Sequence, residues 1–267
     1  MHHTRVNQRR QADAVGGRRP AHHRQHDLVA AYLGHREVFA AVDRHAVDRR
    51  ETPADGRSIQ NIEGIADLDG DLVRDPRNFV SVHFYYPFLF THQGATWSEP
   101  YLAGIIGVPY PAAAGSRDQT LEMTRARFRS LAPVPGANSA AVQAEAEIAK
   151  YFDQAQGPAQ IEDWMNKVAD WQKRQGVDSS QIVFTEFGAM KQTIGGVELD
   201  RASRARWLRD TSATIEGHGW GWTAYVLRDD PFGLYVRESD RYPDPNLMRA
   251  LRLGVPKAAE SDRHAGP

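Results

Sequence analysis

The chain has 267 residues, a formal net charge of −1 at neutral pH and no cysteine. This length permits one large α/β domain, and the near-zero charge argues against nucleic acid or an anionic membrane as a partner. The lack of cysteine excludes disulfides and thiolate metal sites, and no apolar run approaches the roughly 20 residues that span a membrane.

Residues 1–75 differ in composition from the rest of the chain. They hold 12 of the arginines and 7 of the 11 histidines, no lysine and no tryptophan, and their only aromatic residues are Tyr32 and Phe39. Such a segment buries too little apolar surface to offset its ordering entropy, so we predict an irregular, polar segment. The same composition suits a GC-rich gene translated out of frame, so a non-native leader is the second interpretation. Only 26–47 has apolar spacing that suits a helix.

Residues 76–258 have the patterns of a folded domain, and 259–267 are predicted to be a disordered tail. The predicted elements are a strand over 77–86, a loop over 87–118, helices over 139–155 and 160–176, a strand over 181–188, a helix over 200–219, a strand over 219–227 and a helix over 244–254. Helices that regularly separate short buried strands predict βα units and a parallel sheet.

Three of the predicted strands end in groups that suit a sugar site. His83 and Tyr85 are two residues apart and therefore share one face of the first strand. The second strand ends in Glu186, and the third carries Trp220, Trp222 and Tyr225. Sugar rings stack on aromatic side chains, their hydroxyls need directed hydrogen bonds, and glycoside cleavage needs carboxylates. We therefore predict a carbohydrate site where the carboxyl ends of these strands meet.

The motifs HFYYPFLFTHQGATW, FTEFGA and GWGWTAYVLRDDPFGLY, in this order and at this spacing, resemble the last three strands of glycoside hydrolase family 5, the cellulase family. The resemblance covers about residues 76–253. It implies an α/β fold, the (β/α)8 TIM barrel, of which strands six to eight are recognisable here. It also implies an endo-β-1,4-glucanase acting on a poly- or oligosaccharide, a monomer that needs neither a metal ion nor an organic cofactor.

The resemblance also assigns roles to the residues at the strand ends. It implies that Glu186 is the nucleophile of a retaining mechanism and that His83 and Tyr85 are the His-x-Tyr pair of strand six. It places Tyr225 where the family has an aromatic residue on strand eight. The sequence leaves open whether Trp222 or Tyr225 faces the substrate.

Two aromatic side chains in the loop that follows the first strand are further candidates. We predict that His92 and Trp97 bind substrate, because loops above a barrel do so. A buried tryptophan that pins the loop is the alternative for Trp97. Three tryptophans at core-like spacing on the predicted helices are interpreted as packing residues: Trp164, Trp171 and Trp207. The arginines of 201–209 are interpreted as a solvated helix face.

The chain departs from the family pattern upstream of His83. The family's acid/base glutamate lies in an Asn-Glu-Pro motif, and no Asn-Glu pair precedes residue 83; the glutamates there are Glu37, Glu51 and Glu63. The alternative function is therefore a non-catalytic remnant that retains carbohydrate binding. The sequence does not distinguish cellulose from another β-glucan or a mannan. No secretory signal is recognisable, so the cellular location is left open, although family members are mostly extracellular or periplasmic.

Overall fold

The computed structural model describes residues 78–131, 137–191, 200–228, 231–237 and 240–254, with Ile65, Leu68 and the backbone of 29–30, 193–194 and 197–198. Apart from these short segments, the leader predicted over 1–75 lies outside the described residues. The tail predicted over 259–267 lies outside them entirely.

A four-stranded sheet forms the centre of the described fold. Its strands are β1 (Val29–Ala30), β2 (Val80–Phe84), β3 (Ile182–Phe187) and β6 (Gly221–Ala224), in the spatial order β1-β6-β3-β2. Strands β2, β3 and β6 run parallel, which confirms the predicted parallel arrangement. Among the described strands the sheet is open, with β1 and β2 at its edges. A separate two-stranded hairpin consists of β4 (Thr193–Ile194) and β5 (Val197–Glu198).

The apolar spacing over 26–47, which would suit a helix, does not produce one at Val29–Ala30. These two residues form β1, which pairs antiparallel with β6 through Val29 and Ala224. An unpaired strand edge offers backbone donors and acceptors that any extended segment can satisfy. Pairing with that edge has therefore overridden the local helical spacing.

Six helices lie among the described residues. They are α1 (Phe88–Thr91), α2 (Arg117–Ser130), α3 (Ala137–Asp153), α4 (Pro158–Gln175), α5 (Arg201–Gly217) and α6 (Pro245–Ala250). Helices α3 to α6 confirm the four predicted downstream of residue 139, whereas α1 and α2 were not predicted. Short 3₁₀ turns occur at Pro100–Gly104, Ala112–Ala114 and Ser179–Gln181. No helix among these residues has the length and apolar content to cross a membrane.

Two aromatic stacks support the sheet: one joins α5 to β2, and the other joins β3 to the residue before β6. Trp207 of α5 is fully buried, stacks on Phe84 at 6.3 Å between ring centroids, and donates from Nε1 to the Tyr86 carbonyl at 3.0 Å. Trp220 stacks on Phe184 at 5.5 Å. The hydrogen bond from Trp207 to the Tyr86 carbonyl holds the end of β2 against α5. Packing in the core therefore determines the positions of the side chains that follow Phe84.

The packing roles predicted for the helical tryptophans agree with the structure. Trp171 of α4 is fully buried, like Trp207. Trp164, about two turns earlier on the same helix, is half-buried and stacks on Tyr86 at 4.5 Å.

Candidate active site

The register between β2 and β3 brings two candidate side chains together. His83 is the direct neighbour of Glu186 across this parallel pair, after an irregularity between Val82 and His83. Both residues lie near the carboxyl ends of their strands. The shared edge of a parallel sheet is where side chains from separate strands converge.

Tyr85 and His83 both approach one oxygen of the Glu186 carboxylate. The Tyr85 hydroxyl donates to Oε2 of Glu186 at 3.0 Å, and Nδ1 of His83 lies 3.4 Å from the same oxygen. The side chains of His83 and Glu186 are 34% and 27% exposed, while Tyr85 is buried. The predicted convergence is therefore confirmed. It yields a carboxylate that is oriented by a buried phenol and still accessible from solvent.

Phe232, which lies in the third motif but is not among the predicted site residues, connects the other candidates to this pair. Its ring lies 5.6 Å from that of Tyr85, 5.1 Å from that of His92 and 5.9 Å from that of Tyr225, in each case in an edge arrangement. These are favourable aromatic geometries. Phe232 follows Pro231 in the loop after β6, and an apolar ring in such a loop was the available signal.

The structure separates the two aromatic candidates of the third strand. Trp222 is 5% exposed, packs on Phe187 at 5.4 Å and donates from Nε1 to Glu216 of α5 at 2.9 Å. Its indole therefore faces the helices, and the prediction that Trp222 binds substrate is corrected to a packing role. Tyr225, three residues later, is half-buried and reaches the Phe232 cluster.

The two loop candidates occupy different environments. Trp97 is 56% exposed, which rules out the alternative of a buried tryptophan that pins the loop. His92 is 7% exposed and lies between the rings of Phe88 and Tyr85. Both side chains line a cleft of about 730 Å³ beside the Tyr85–Glu186 pair.

The hydrogen bonds around Thr91 determine which ring nitrogen of His92 carries the proton, and burial keeps the ring neutral. The Thr91 hydroxyl donates its single proton to the Tyr85 carbonyl at 2.6 Å, so it accepts from Nδ1 of His92 at 2.9 Å. Burial lowers the pKa of His92 to about 3. The imidazole is thus neutral, with its proton on Nδ1, and its Nε2 is a hydrogen-bond acceptor.

Acidification is expected to destabilise the protein through His92. Its pKa is about 6.5 in an unfolded chain and about 3 here, so the unfolded state binds more protons between these values. The stabilisation is complete above pH 6.5 and is lost as the pH falls towards 3. Between neutral pH and about pH 4 we expect a loss of about 3 kcal/mol in the free energy of unfolding.

Urea unfolding of the wild type and His92→Gln across this range measures that contribution. The variant should lose less stability on acidification, because carboxylates titrate equally in both proteins. If the free energy of unfolding changed equally with pH in the wild type and in His92→Gln, the pKa of His92 would be the same in the folded and unfolded states.

Solved structures similar to this chain include endoglucanases. An endoglucanase is 24% identical with a TM-score of 0.45, over 71% of this chain and 44% of the other. A hyperthermophilic endo-β-1,4-glucanase in complex with substrate is 27% identical with a TM-score of 0.45, over 72% and 44%. Thermotoga maritima Cel5A in complex with cellobiose is 19% identical with a TM-score of 0.43, over 72% and 44%. The chain thus spans less than half the length of each. No family model and no curated protein matches the sequence.

A buried arginine joins the loops that follow β3 and β6. Arg204 of α5 is 6% exposed; its guanidinium donates to the carbonyls of Ala189 at 2.7 Å, Phe232 at 2.6 Å and Gly233 at 2.9 Å. Burial lowers its pKa to about 10, so it remains charged at neutral pH. The interpretation of the arginines of 201–209 as a solvated face is therefore wrong for Arg204. Arg204, like Ser203 before it, lies on the buried side of α5. The carbonyls of the two loops need hydrogen-bond donors there, and the guanidinium supplies them.

Gly188 allows the ends of β3 and β6 to approach each other. A Cβ at this position would lie 2.3 Å from the Tyr225 carbonyl oxygen and 3.1 Å from the Phe232 ring. The backbone N–H of Tyr225 donates to the Phe187 carbonyl at 2.9 Å, so this contact holds the two strand ends together. The absence of a side chain at 188 therefore places Tyr225 and Phe232 beside the strand that carries Glu186.

We expect Gly188→Ala to lower the free energy of unfolding by about 2–3 kcal/mol, because a backbone oxygen has no low-cost way to move aside. Gly217→Ala is the matched control: nothing lies within 4 Å of its added methyl, and alanine is the better helix former. Thermal and urea unfolding compare the two. Equal stability of both variants would show that the strand ends are free to separate.

Among the described residues, no group of three His, Asp or Glu side chains is close enough to hold a metal ion.

Proposed function

We propose that this chain is a glycoside hydrolase of the family 5 type, with the architecture of the C-terminal part of a (β/α)8 barrel, which cleaves β-1,4-linked glucan with retention of configuration. The observation that carries the proposal is the 3.0 Å hydrogen bond from the buried Tyr85 hydroxyl to Glu186. It joins two adjacent parallel strands at their carboxyl ends. An oriented, solvent-accessible carboxylate at that place is suited to attack an anomeric carbon.

The proposed reaction has two steps at Glu186. Since Oε2 accepts from Tyr85, Oε1 attacks the anomeric carbon, the bond to the leaving oxygen breaks and a glycosyl ester forms on Glu186. The leaving oxygen takes a proton from a second carboxylic acid. That carboxylate then removes a proton from water, which attacks the same carbon and releases Glu186.

The neighbouring side chains orient the substrate in this proposal. Tyr85 holds the carboxylate in place, and His83, one-third exposed beside it, donates to or accepts from a sugar hydroxyl. Tyr225 supplies an aromatic surface, supported by Phe232. His92 and Trp97 contact the part of the glycan that lies in the adjoining cleft.

The acid/base carboxylate determines how active the chain is. Glu37, Glu51 and Glu63 lie outside the described residues, and none occurs in an Asn-Glu-Pro motif. General acid help contributes about 10²–10⁴-fold, so we predict weak or undetectable release of reducing ends from carboxymethylcellulose. A fusion to an upstream half-barrel with an Asn-Glu-Pro strand should be at least about a hundredfold faster.

The hydrolysis assay, performed on both forms, tests the proposed function. Inactivity of the fused form would contradict it and favour a non-catalytic remnant that binds carbohydrate. Strong hydrolysis by the chain alone would place the acid/base in this sequence, with Glu51 the first residue to substitute.

A further inference from the structure

Tyr85 lies just beyond the part of β2 that the sheet holds in register. Phe84, the last residue of β2, pairs with Phe187, and Tyr85 follows it. The position of the Tyr85 hydroxyl, which donates to Glu186, therefore depends on contacts outside the strand pairing. These contacts determine how the carboxylate is oriented.

Thr91, the last residue of α1, holds the backbone of Tyr85. Its hydroxyl donates to the Tyr85 carbonyl at 2.6 Å, while the Phe88 carbonyl is farther away at 3.4 Å. The Thr91 carbonyl accepts from the backbone N–H of Met190 at 3.0 Å, in the loop that follows β3. Thr91 is fully buried, so solvent does not compete for these bonds. One residue thus connects the backbone of Tyr85 to the loop that follows Glu186.

The same hydroxyl holds a ring that packs against Tyr85. It accepts from Nδ1 of His92 at 2.9 Å, which fixes the rotation of the imidazole. The imidazole packs with its edge against the Tyr85 ring at 5.2 Å and stacks on Phe88 at 3.8 Å. Thr91 therefore acts on Tyr85 in two ways, through the Tyr85 carbonyl and through the ring of His92.

We propose that Thr91 is a positioning residue for the step that forms the glycosyl ester, because it holds the Tyr85 hydroxyl against Glu186. Thr91 is fully buried and is not part of the walls of the cleft, so it acts without contacting substrate. The inference rests on the proposed function for the reaction at Glu186. It adds a residue that lies outside both the strands and the cleft.

Single-turnover release of dinitrophenolate from dinitrophenyl β-cellobioside measures this step, because dinitrophenolate leaves without a proton. Thr91→Val keeps the volume of the side chain and the backbone bond to Met190 but removes the hydroxyl. We expect the rate constant to fall by about tenfold or more, since a displacement of about 1 Å costs up to about a hundredfold. Thr91→Ser retains the hydroxyl and should stay within about threefold of the wild type.

Cellobiose binding separates the two routes by which Thr91 acts. In the proposed function His92 contacts the glycan, so an effect through His92 alone would raise the Kd of cellobiose and leave the rate constant unchanged. An effect through the Tyr85 hydroxyl lowers the rate constant and keeps the Kd within about threefold of wild type. The second pattern is the expected one, and the first would overturn the proposal.

A double-mutant cycle with Tyr85→Phe tests whether Thr91 acts through the phenol. Tyr85→Phe removes the hydroxyl that Thr91 positions, so adding Thr91→Val should then change the rate constant by less than about twofold. Equal factors in the wild-type and Tyr85→Phe backgrounds would overturn the proposal. A wild-type rate constant in Thr91→Val would also overturn it. If Thr91→Val fails to fold, Thr91→Cys takes its place, because a thiol is a weaker donor, and the same outcomes apply.

Thr120→Val is the matched control for lost stability. Thr120 is buried on α2, and its hydroxyl donates to the Gly107 carbonyl at 3.0 Å, as that of Thr91 donates to Tyr85. The control should lower the urea midpoint and leave the rate constant unchanged. A rate constant that falls as far as in Thr91→Val would show that the loss reflects weakened packing, and would overturn the positioning role.

Failure of the positioning role is distinguishable from failure of the proposed function. If the wild type releases dinitrophenolate but the effects of Thr91→Val and Tyr85→Phe multiply, the positioning role is wrong and the proposed function stands. If the wild type releases none, the proposed function is wrong and the role of Thr91 in the reaction fails with it. The cycle measured by urea unfolding then tests the structural link, since Tyr85→Phe should cost less stability in Thr91→Val than in the wild type.

Discussion

Glu186→Gln is expected to lower the release of dinitrophenolate from dinitrophenyl β-cellobioside by at least about a thousandfold. The amide preserves the shape of the side chain and can still meet the Tyr85 hydroxyl, but it has no charged oxygen with which to attack. Dinitrophenolate leaves without a proton, so this substrate reports on the nucleophile even where the acid/base residue is missing. Binding of cellobiose should remain within about threefold of wild type, because the binding groups are unchanged.

Glu122→Gln provides the control, since Glu122 is exposed on α2, remote in sequence from β2 and β3. It should release dinitrophenolate at the wild-type rate. Wild-type activity in Glu186→Gln would exclude Glu186 as the nucleophile. Loss of cellobiose binding along with activity would instead show that the carboxylate acts mainly in binding.

Arg204→Met is expected to lower the free energy of unfolding by at least about 3 kcal/mol. Methionine fills a similar volume, but it leaves the carbonyls of Ala189, Phe232 and Gly233 without their donor. Each unsatisfied buried carbonyl costs about 1–3 kcal/mol. Asp244, which is buried and interacts with Arg204 electrostatically, would also lose its compensating charge.

Arg209→Met is the matched control on the same helix, because the Arg209 side chain is 56% exposed and its ion pair is with the adjacent residue, Asp210. Its effect should stay within about 0.5 kcal/mol. The loss of unfolding free energy in Arg204→Lys should fall between those of the other two variants. An ammonium supplies donors, but it lacks the planar, forked guanidinium that reaches all three carbonyls. Equal urea midpoints for Arg204→Met and Arg209→Met would contradict the role assigned to the buried guanidinium.

The parts of the site that could be predicted depend on short-range periodicity. The i, i+2 spacing of His83 and Tyr85 requires one face of a strand, and an apolar run that ends in Glu186 indicates a neighbouring buried strand. Parallel strands then bring these ends together, as the 3.0 Å and 3.4 Å contacts show. The helix ends followed from local chemistry as well: α4 stops at Gly176, which has a φ of 66°.

Other features depend on contacts that are distant in sequence. Helix α2 was missed because only Thr120 and Thr124 of its residues are buried, so it has no apolar period. Its local signals were at its ends: the hydroxyl of Ser116 accepts from the Gln119 N–H, Asp118 lies in the first turn, and Arg127 and Arg129 lie in the last. Arg204 resembles its exposed neighbours in sequence, and only the folded loops supply its three acceptors.

The orientation of the third strand was equally undetermined by the sequence. Trp222 and Tyr225 are both aromatic, and which of them faces the helices depends on the position of Glu216 on α5. The role of Phe232 likewise arises only when the loop after β6 folds back onto Tyr85 and His92.

Mass spectrometry of a trapped intermediate tests the central proposal most directly. The probe is a dinitrophenyl cellobioside that carries fluorine in place of the hydroxyl next to the anomeric carbon, which slows the second step and preserves the glycosyl ester. The proposal predicts one fluorocellobiosyl group per chain, on the peptide that contains Glu186, and none on Glu186→Gln. No adduct on a folded wild-type chain, or an adduct on another carboxylate, would contradict it.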